Sequence, residues 1–510
     1  MRGPLTLLAL LSTLPFAALA ACSGDDDVTP APIGDAGPDA PALDASHASD
    51  ASPDANPLST PDAGPDAADA SPDAPSTNDG DTDADAGPTQ SGTLIATGDV
   101  TLNGFTSDGY VVYTLNGSVY AKSVAGGAAQ LIVNSAYELS FRRGSSAVIV
   151  FNPSAAIAQI GSLAVWTAAH GYQPVAPHAM SVGRSLDVSL DGNSIAYVAV
   201  APSTSSVQPT GILVSTTDGS AAQILLEMTD PGGDLPSTWF GSNGTLFTQY
   251  SKSLADAGPN AKVDYTDAYD GATFAHTLSV TGDAVSSPTG TSVWVLDASS
   301  GTEKLYDTKT GASLFSQANT GSGGLFDPTG SHTFFCTPAG ALVTLAIASP
   351  STQTTLLASG CDAVGAVSPN GGGLLMQTIG DGGAPMVNGL STAAAFPPWP
   401  IWNGYLQDLK FTRDSRYVLA HGANGVSVIP SAGGVPTQLP PSVGYPQPAI
   451  GSKFILLTNE VLGVYDASGA SAPATLATGV SSAVLADTFS MVGYVTGSGA
   501  SASLYLAPIL

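Results

Sequence analysis

The side chains that could carry chemistry are few and scattered. Five histidines follow residue 91: His170, His178, His276, His332 and His421. No two stand at the H-x-x-x-H spacing that would bring two imidazoles to one metal. They read as surface or packing residues. Asp264, Asp267 and Asp270 come at intervals of three before Gly271, whereas a calcium loop needs intervals of two in its first ligands. They read as solvated turn residues, with Asp270-Gly271 a turn in its own right. No G-x-S-x-G elbow occurs, which excludes serine chemistry of the α/β-hydrolase kind. No catalytic residue, metal set or cofactor is assigned. Cys336 and Cys361 are either a disulfide within or between strand units or two separate buried thiols. In FPPWPIW (396–402), prolines 397, 398 and 400 argue against regular ladder pairing, so an irregular loop is expected. Its Phe396, Trp399 and Trp402 are either a binding anchor on that loop or a cap on the apolar core.

The third cysteine, Cys22, has a different setting. The chain opens MRGPLTLLALLSTLPFAALAAC, with Arg2 before an apolar stretch from Leu5 to Leu19 and small residues after it. That is the layout of a secretory signal (residues 1–21), too short and too broken by Pro15 to span a bilayer. Leu19-Ala20-Ala21-Cys22 resembles the bacterial lipobox. The resemblance implies acylation of the Cys22 thiol and cleavage just before it. Several acyl chains would anchor the product stably, where a single one binds only marginally. Ser23, rather than Asp, in the next position implies the outer membrane.

These residues must be held by something, and composition divides the rest of the chain in two. Residues 23–91 hold 16 Asp, 15 Ala and 11 Pro in 69 positions, with no Lys, Arg, Glu or aromatic residue. DAGPDA occurs at 35–40 and again at 62–67. So little apolar surface cannot offset ordering entropy, and an extended spacer with a reach of roughly 200 Å is expected over 22–91. The formal charge of −28 divides accordingly: +1 in the signal, −16 in the spacer and −13 in residues 92–510. With 13 Lys+Arg against 41 Asp+Glu, a nucleic-acid binder is excluded, because that role needs a basic footprint.

Residues 92–510 carry short apolar runs broken by Gly, Asp and Asn, which predicts an all-β body. One unit recurs: GFTSDGYVVYT at 104–114, VSLDGNSIAYV at 188–198 and VSSPTGTSVWVL at 285–296. It returns as LFDPTGSHTFFC at 325–336, AVSPNGGGLLMQ at 366–377 and KFTRDSRYVLAH at 410–421. Each is an apolar strand, a tight turn and a second apolar strand. A second hairpin follows in several units, as in GILVSTTDGSAAQILL (211–226), giving four strands per unit. Weaker units begin near Leu139, Ser237, Pro446 and Ser481, and the spacing averages about 42 residues, a blade's length. The turns Ser189-Leu190-Asp191-Gly192 and Ser368-Pro369-Asn370-Gly371 resemble the S-P-D-G turn of TolB-type, WD40-like propeller repeats. That resemblance implies a β-propeller of about eight to ten blades. TLIATGDVTL (93–102) is similar to a closing fourth strand, and SASLYLAPIL at the C-terminus to a third strand. Residues 93–98 are therefore expected to complete the last unit.

Together these features lead to the expectation of a lipid-anchored protein of the bacterial cell envelope. It would be held to the membrane through Cys22, with a non-catalytic propeller as a scaffold for a protein partner. The alternative is an enzyme, or a binder of small ligands or carbohydrates, that uses a central channel.

Overall fold

The computed structural model describes residues 90–135, 137–202, 206–228, 236–253, 262–297, 300–318, 320, 323–379, 385–392, 399–403, 408–422, 425–439 and 445–509. Leu19, Ala20, Ala21 and Cys22, and almost all of the acidic spacer, lie outside the described residues.

Strands run antiparallel in four-stranded sets, with no α-helix among the described residues. Eight sheets have four strands each, and a ninth of eight strands is two sets joined at a single pair, Ala199 opposite Ala179. That makes ten units, each starting within a few residues of a sequence repeat. They span 100–133, 138–180, 186–227, 237–281, 283–318, 324–357, 363–403, 408–438, 447–477 and 480–508. Here they are numbered 1 to 10 in that order.

In nine of the ten units the second strand is largely apolar on both faces because both are covered; the exception is unit 4, whose second strand reads LFTQYSKS. In unit 3, Ile195, Ala196, Tyr197 and Val198 are all at most 4% exposed. A valine or isoleucine contributes about 1.5–3 kcal/mol on full burial, and alternate residues feed two different cores. Ile195 and Tyr197 pack with Ile149, Phe151 and Leu163 of unit 2, while Ala196 packs with Phe240, Leu246 and Tyr269 of unit 4. Such shared cores recur between every consecutive pair of units. Unit 10 also packs on unit 1, through Val495, Leu504 and Leu506 against Val100, Leu102 and Val111.

The first and last strands of the described residues meet in unit 10. Thr93–Thr97 is its fourth strand, pairing with Ser503–Pro508 in the register Thr93–Leu506 to Thr97–Ser503. The Tyr494 hydroxyl donates to the Ser91 carbonyl just ahead of that strand. Gly92, at φ 131°, is required here, since a Cβ would stand 2.5 Å from the Leu506 carbonyl oxygen.

Outer strands expose unpaired backbone. In nine of the ten units the pairing of third and fourth strands carries a register shift. A bulge twists an edge away from pairing with another chain. This corrects the expectation for 396–402. Trp399–Asn403 is not a loop but the fourth strand of unit 7, with Trp399 opposite Gly389 and Pro400 opposite Asn388. The proline rule binds central strands, whereas at an edge the missing N–H costs nothing. Ile401, 5% exposed, turns into the core shared with unit 8. Phe396 and the side chains of Trp399 and Trp402 lie outside the described residues.

A surface stitched from first turns

Several units build their first hairpin turn from a small polar network, and that network explains the repeat. Ser189 Oγ donates to Asp191 Oδ1 at 2.5 Å and accepts the Ser194 N–H at 3.0 Å, while Asp191 Oδ1 accepts the Asn193 N–H at 3.1 Å. Ser368 with Asn370 and Thr412 with Asp414 repeat the same three bonds. In unit 6 the roles exchange, and Asp327 takes the first position, accepting from Thr329 Oγ1 and the His332 N–H. One position per turn has positive φ. It is glycine in eight units, from Gly109 to Gly451, but Ser415 in unit 8 and Phe489 in unit 10. A bulky side chain in the left-handed region is an outlier that its surroundings must hold in place.

Two arginines hold Phe489. The Arg143 guanidinium of unit 2 lies 3.8 Å from its ring centroid and that of Arg413, in unit 8, lies 3.5 Å away. Asp487, two residues earlier, accepts the Gly144 N–H of unit 2 at 3.0 Å, with Arg143 Nε at 3.8 Å. Burial pushes the Asp487 carboxyl above the usual carboxylate range, against the opposing pull of the Gly144 N–H and Arg143. Arg142 ties three units together. Its Nη1 donates to Asp187 at 2.8 Å and to the Val188 carbonyl at 3.0 Å, and its Nη2 to the Phe240 carbonyl at 2.6 Å. Backbone bonds continue the stitching: Ser107 N to Ser145 O, Ser242 N to Pro288 O, Asp414 N to Gly451 O and Ile450 N to Phe489 O. Four of the six arginines in the chain, Arg142, Arg143, Arg413 and Arg416, stand on these turns. Chemically the surface is a fixed array of guanidinium, carboxylate and backbone groups.

The first strands carry four carboxylates on four different units. Asp187 pairs with Arg142, and Asp408 lies 3.1 Å from Lys410. Glu138 accepts from Ser181 Oγ, and Asp283 accepts from Gln249 Nε2. Burial, then the charge of Asp264, raises the Asp283 carboxyl. Among the described residues no three His, Cys, Asp or Glu side chains gather to hold a metal.

The Asp264–Asp270 series needs correcting. Asp264 and Asp267 lie within the strand Lys262–Tyr269 of unit 4, not in a turn. A spacing of three on a period-two strand sends them to opposite faces. Asp267 is 4% exposed and accepts the Tyr250 hydroxyl at 2.9 Å, with His276 Nε2 at 3.6 Å. Burial, with the Asp267 charge adding to it, pushes the Tyr250 hydroxyl up, and that of Tyr269 up to about 12. Asp270 does cap a turn, accepting the N–H groups of Ala272 and Thr273.

Of the remaining histidines, His421 is buried against the Tyr445 ring, its centroid 4.8 Å away, and stands opposite Asp408 in the strand register. Cys336 and Cys361 are bonded, with Cα atoms 5.6 Å apart, and join unit 6 to the segment leading into unit 7. No signal in the sequence pairs Arg143 or Arg413 with Phe489, since those contacts join residues 346 and 76 positions apart.

No family model matches the chain, and no curated protein matches it. Among solved structures, one of a eukaryotic initiation factor is similar at 11% identity, covering 69% of this chain and 91% of that one, with a TM-score of 0.45. A hydrazine synthase from Kuenenia stuttgartiensis aligns at 14% identity over 53% of this chain and 94% of its own, with a TM-score of 0.30. A mitotic checkpoint complex structure aligns at 11% identity over 64% and 90%, with a TM-score of 0.31. Similarities this distant bring no function to the chain.

Proposed function

We propose that this is a lipid-anchored protein of the bacterial cell envelope. Its ten units close into one propeller of the TolB-like, WD40-like kind, and its stitched turn surface docks a protein partner. The observation that carries the reading is the stitching itself. Turns of units 2, 8, 9 and 10 are bonded to one another, and unit 10 packs on unit 1. A surface pre-ordered in this way loses little conformational entropy when a partner binds, and preorganisation of that kind favours affinity. The lipobox-like Leu19-Ala20-Ala21-Cys22 supports the anchor, and the Asp/Ala/Pro-rich spacer supports presentation away from the membrane.

A photo-crosslinking amino acid at the exposed Arg416, compared with one at Ile224 on an outer strand, tests the docking surface in cells. Discrete crosslinked species from position 416 and none from 224 would support it. Equal crosslinking from both, or none from 416, would remove the turn surface from the account.

A further inference from the structure

Between units 4 and 5 lies a cleft of about 270 Å³ that the turn surface does not include. Val280 and Val295 supply its apolar lining together with Tyr265 and Tyr306, and Ser279, Thr281, Asp297 and Lys304 supply its polar groups. Thr281 and Val280 come from the fourth strand of unit 4, and Lys304 and Tyr306 from the third strand of unit 5.

We propose that this cleft is a binding site for a neutral saccharide, taking one hexose-sized ring. Its volume falls just below the ~300–1,000 Å³ of pockets that take drug-sized ligands, so a single ring is the fitting occupant. The chemistry of the lining matches a sugar's two kinds of surface. Tyrosine rings and valine methyls suit the C–H face of a pyranose, and hydroxyl, ammonium and carboxylate groups suit its equatorial hydroxyls. The charges balance. Lys304 has no hydrogen bond or ion pair among the described residues, while Asp297 accepts from Thr281 Oγ1 at 3.3 Å and from the Ser300 N–H at 3.2 Å. One cation and one anion in a single cleft favour a neutral polar ligand over a charged one. The tyrosine hydroxyls, Ser279 Oγ and Lys304 Nζ are donors with no partner among the described residues, as a ligand rich in acceptor oxygens requires. Lys252 Nζ lies 4.9 Å from the Tyr265 ring centroid and is not among the lining residues. This site is lined from the second, third and fourth strands of its units, with no residue from a first strand, and stands independently of the docking surface.

Saturation-transfer NMR with methyl glycosides of glucose, galactose, mannose and N-acetylglucosamine tests it on the mature protein. A ligand of about 12–16 heavy atoms in an open cleft should bind with a dissociation constant of about 1 mM. Lys304→Met keeps the aliphatic stem and should weaken binding about tenfold. Tyr306→Ala should abolish it, and Tyr172→Ala, an exposed ring on unit 2, should leave it unchanged. Tyr306 packs in the core between units 4 and 5, so Lys304→Met is the variant to rely on if Tyr306→Ala fails to fold. The proposal is overturned if none of the four glycosides shows transfer at 20-fold excess over that constant, or if Lys304→Met binds as the parent does.

Discussion

Reducing the Cys336–Cys361 bond should loosen units 6 and 7 by an amount that follows from the sequence separation of its ends. The bond closes a loop of 25 residues. In the chain-entropy model such a loop contributes about 3.5 kcal/mol at 25 °C by restricting the unfolded chain. Reduction adds only two hydrogens, but the two sulfurs, no longer bonded, must also move apart to van der Waals contact, which adds to the loosening. Both sulfurs are buried, 1% and 4% exposed, among Phe334, Leu342, Leu374, Met376 and Leu390. Reductant should therefore reach them only through local opening. Units in a repeat array can melt separately, so amide hydrogen exchange is the better assay than a single global midpoint. Amides of Phe334 and Leu374, on strands either side of the bridge, should lose protection by several hundredfold, the factor equivalent to about 3.5 kcal/mol. Amides of unit 1 should be unaffected. Unchanged exchange at Phe334 and Leu374 after complete reduction would refute the entropic argument. Two alkylatable thiols in the denatured, unreduced protein would refute the bridge itself.

Three further outcomes are expected. Gly92→Ala forces a Cβ toward the Leu506 carbonyl at φ 131° and should cost about 1–3 kcal/mol, seen as a lower thermal midpoint; an unchanged midpoint would mean that the closing strand adds nothing to unit 10. Phe489→Ala gives up two cation–π contacts of about 0.5–1 kcal/mol each yet keeps a side chain in the left-handed region, whereas Phe489→Gly also relieves about 1–2 kcal/mol of backbone cost. The glycine variant should therefore be the more stable of the two in urea, and the reverse order would contradict the strain assignment. Burial raises the Asp487 carboxyl in the folded chain, so its contribution to stability is full below the ordinary carboxylate value and is lost as pH rises through the raised one. Asp487→Asn should flatten that part of the stability–pH curve, and a curve parallel to the parent's would argue against it.

The strand units were legible because their turns are chemically demanding. A hairpin that needs φ > 0 at one position and a Ser, Thr or Asp oxygen three residues earlier leaves a repeated trace, as at Ser189–Gly192 and Ser368–Gly371. The closing strand was legible for a related reason, since a fourth strand without its unit at one end of the chain matches a unit without its fourth strand at the other. Edge strands were not. Trp399–Asn403 obeys the looser rules of a sheet margin, where proline loses no ladder bond. Burial of Asp267 was hidden as well, because its partners Tyr250 and His276 come from neighbouring strands whose register no local pattern displays. The stitched surface was the least visible part. Arg143, Arg413 and Phe489 are ordinary residues in three separate repeats, and only the packing of units 8, 9, 10, 1 and 2 brings them together.

The membrane anchor is the premise on which the proposed location and partner both depend, and intact mass spectrometry of the mature protein extracted from membranes tests it directly. The expected result is a chain beginning at Cys22 that carries the added mass of several acyl chains, and a Cys22→Ser form that stays uncleaved and unacylated. A mature chain that begins elsewhere without acyl mass, or a Cys22→Ser protein that is processed and held at the membrane as before, would contradict it.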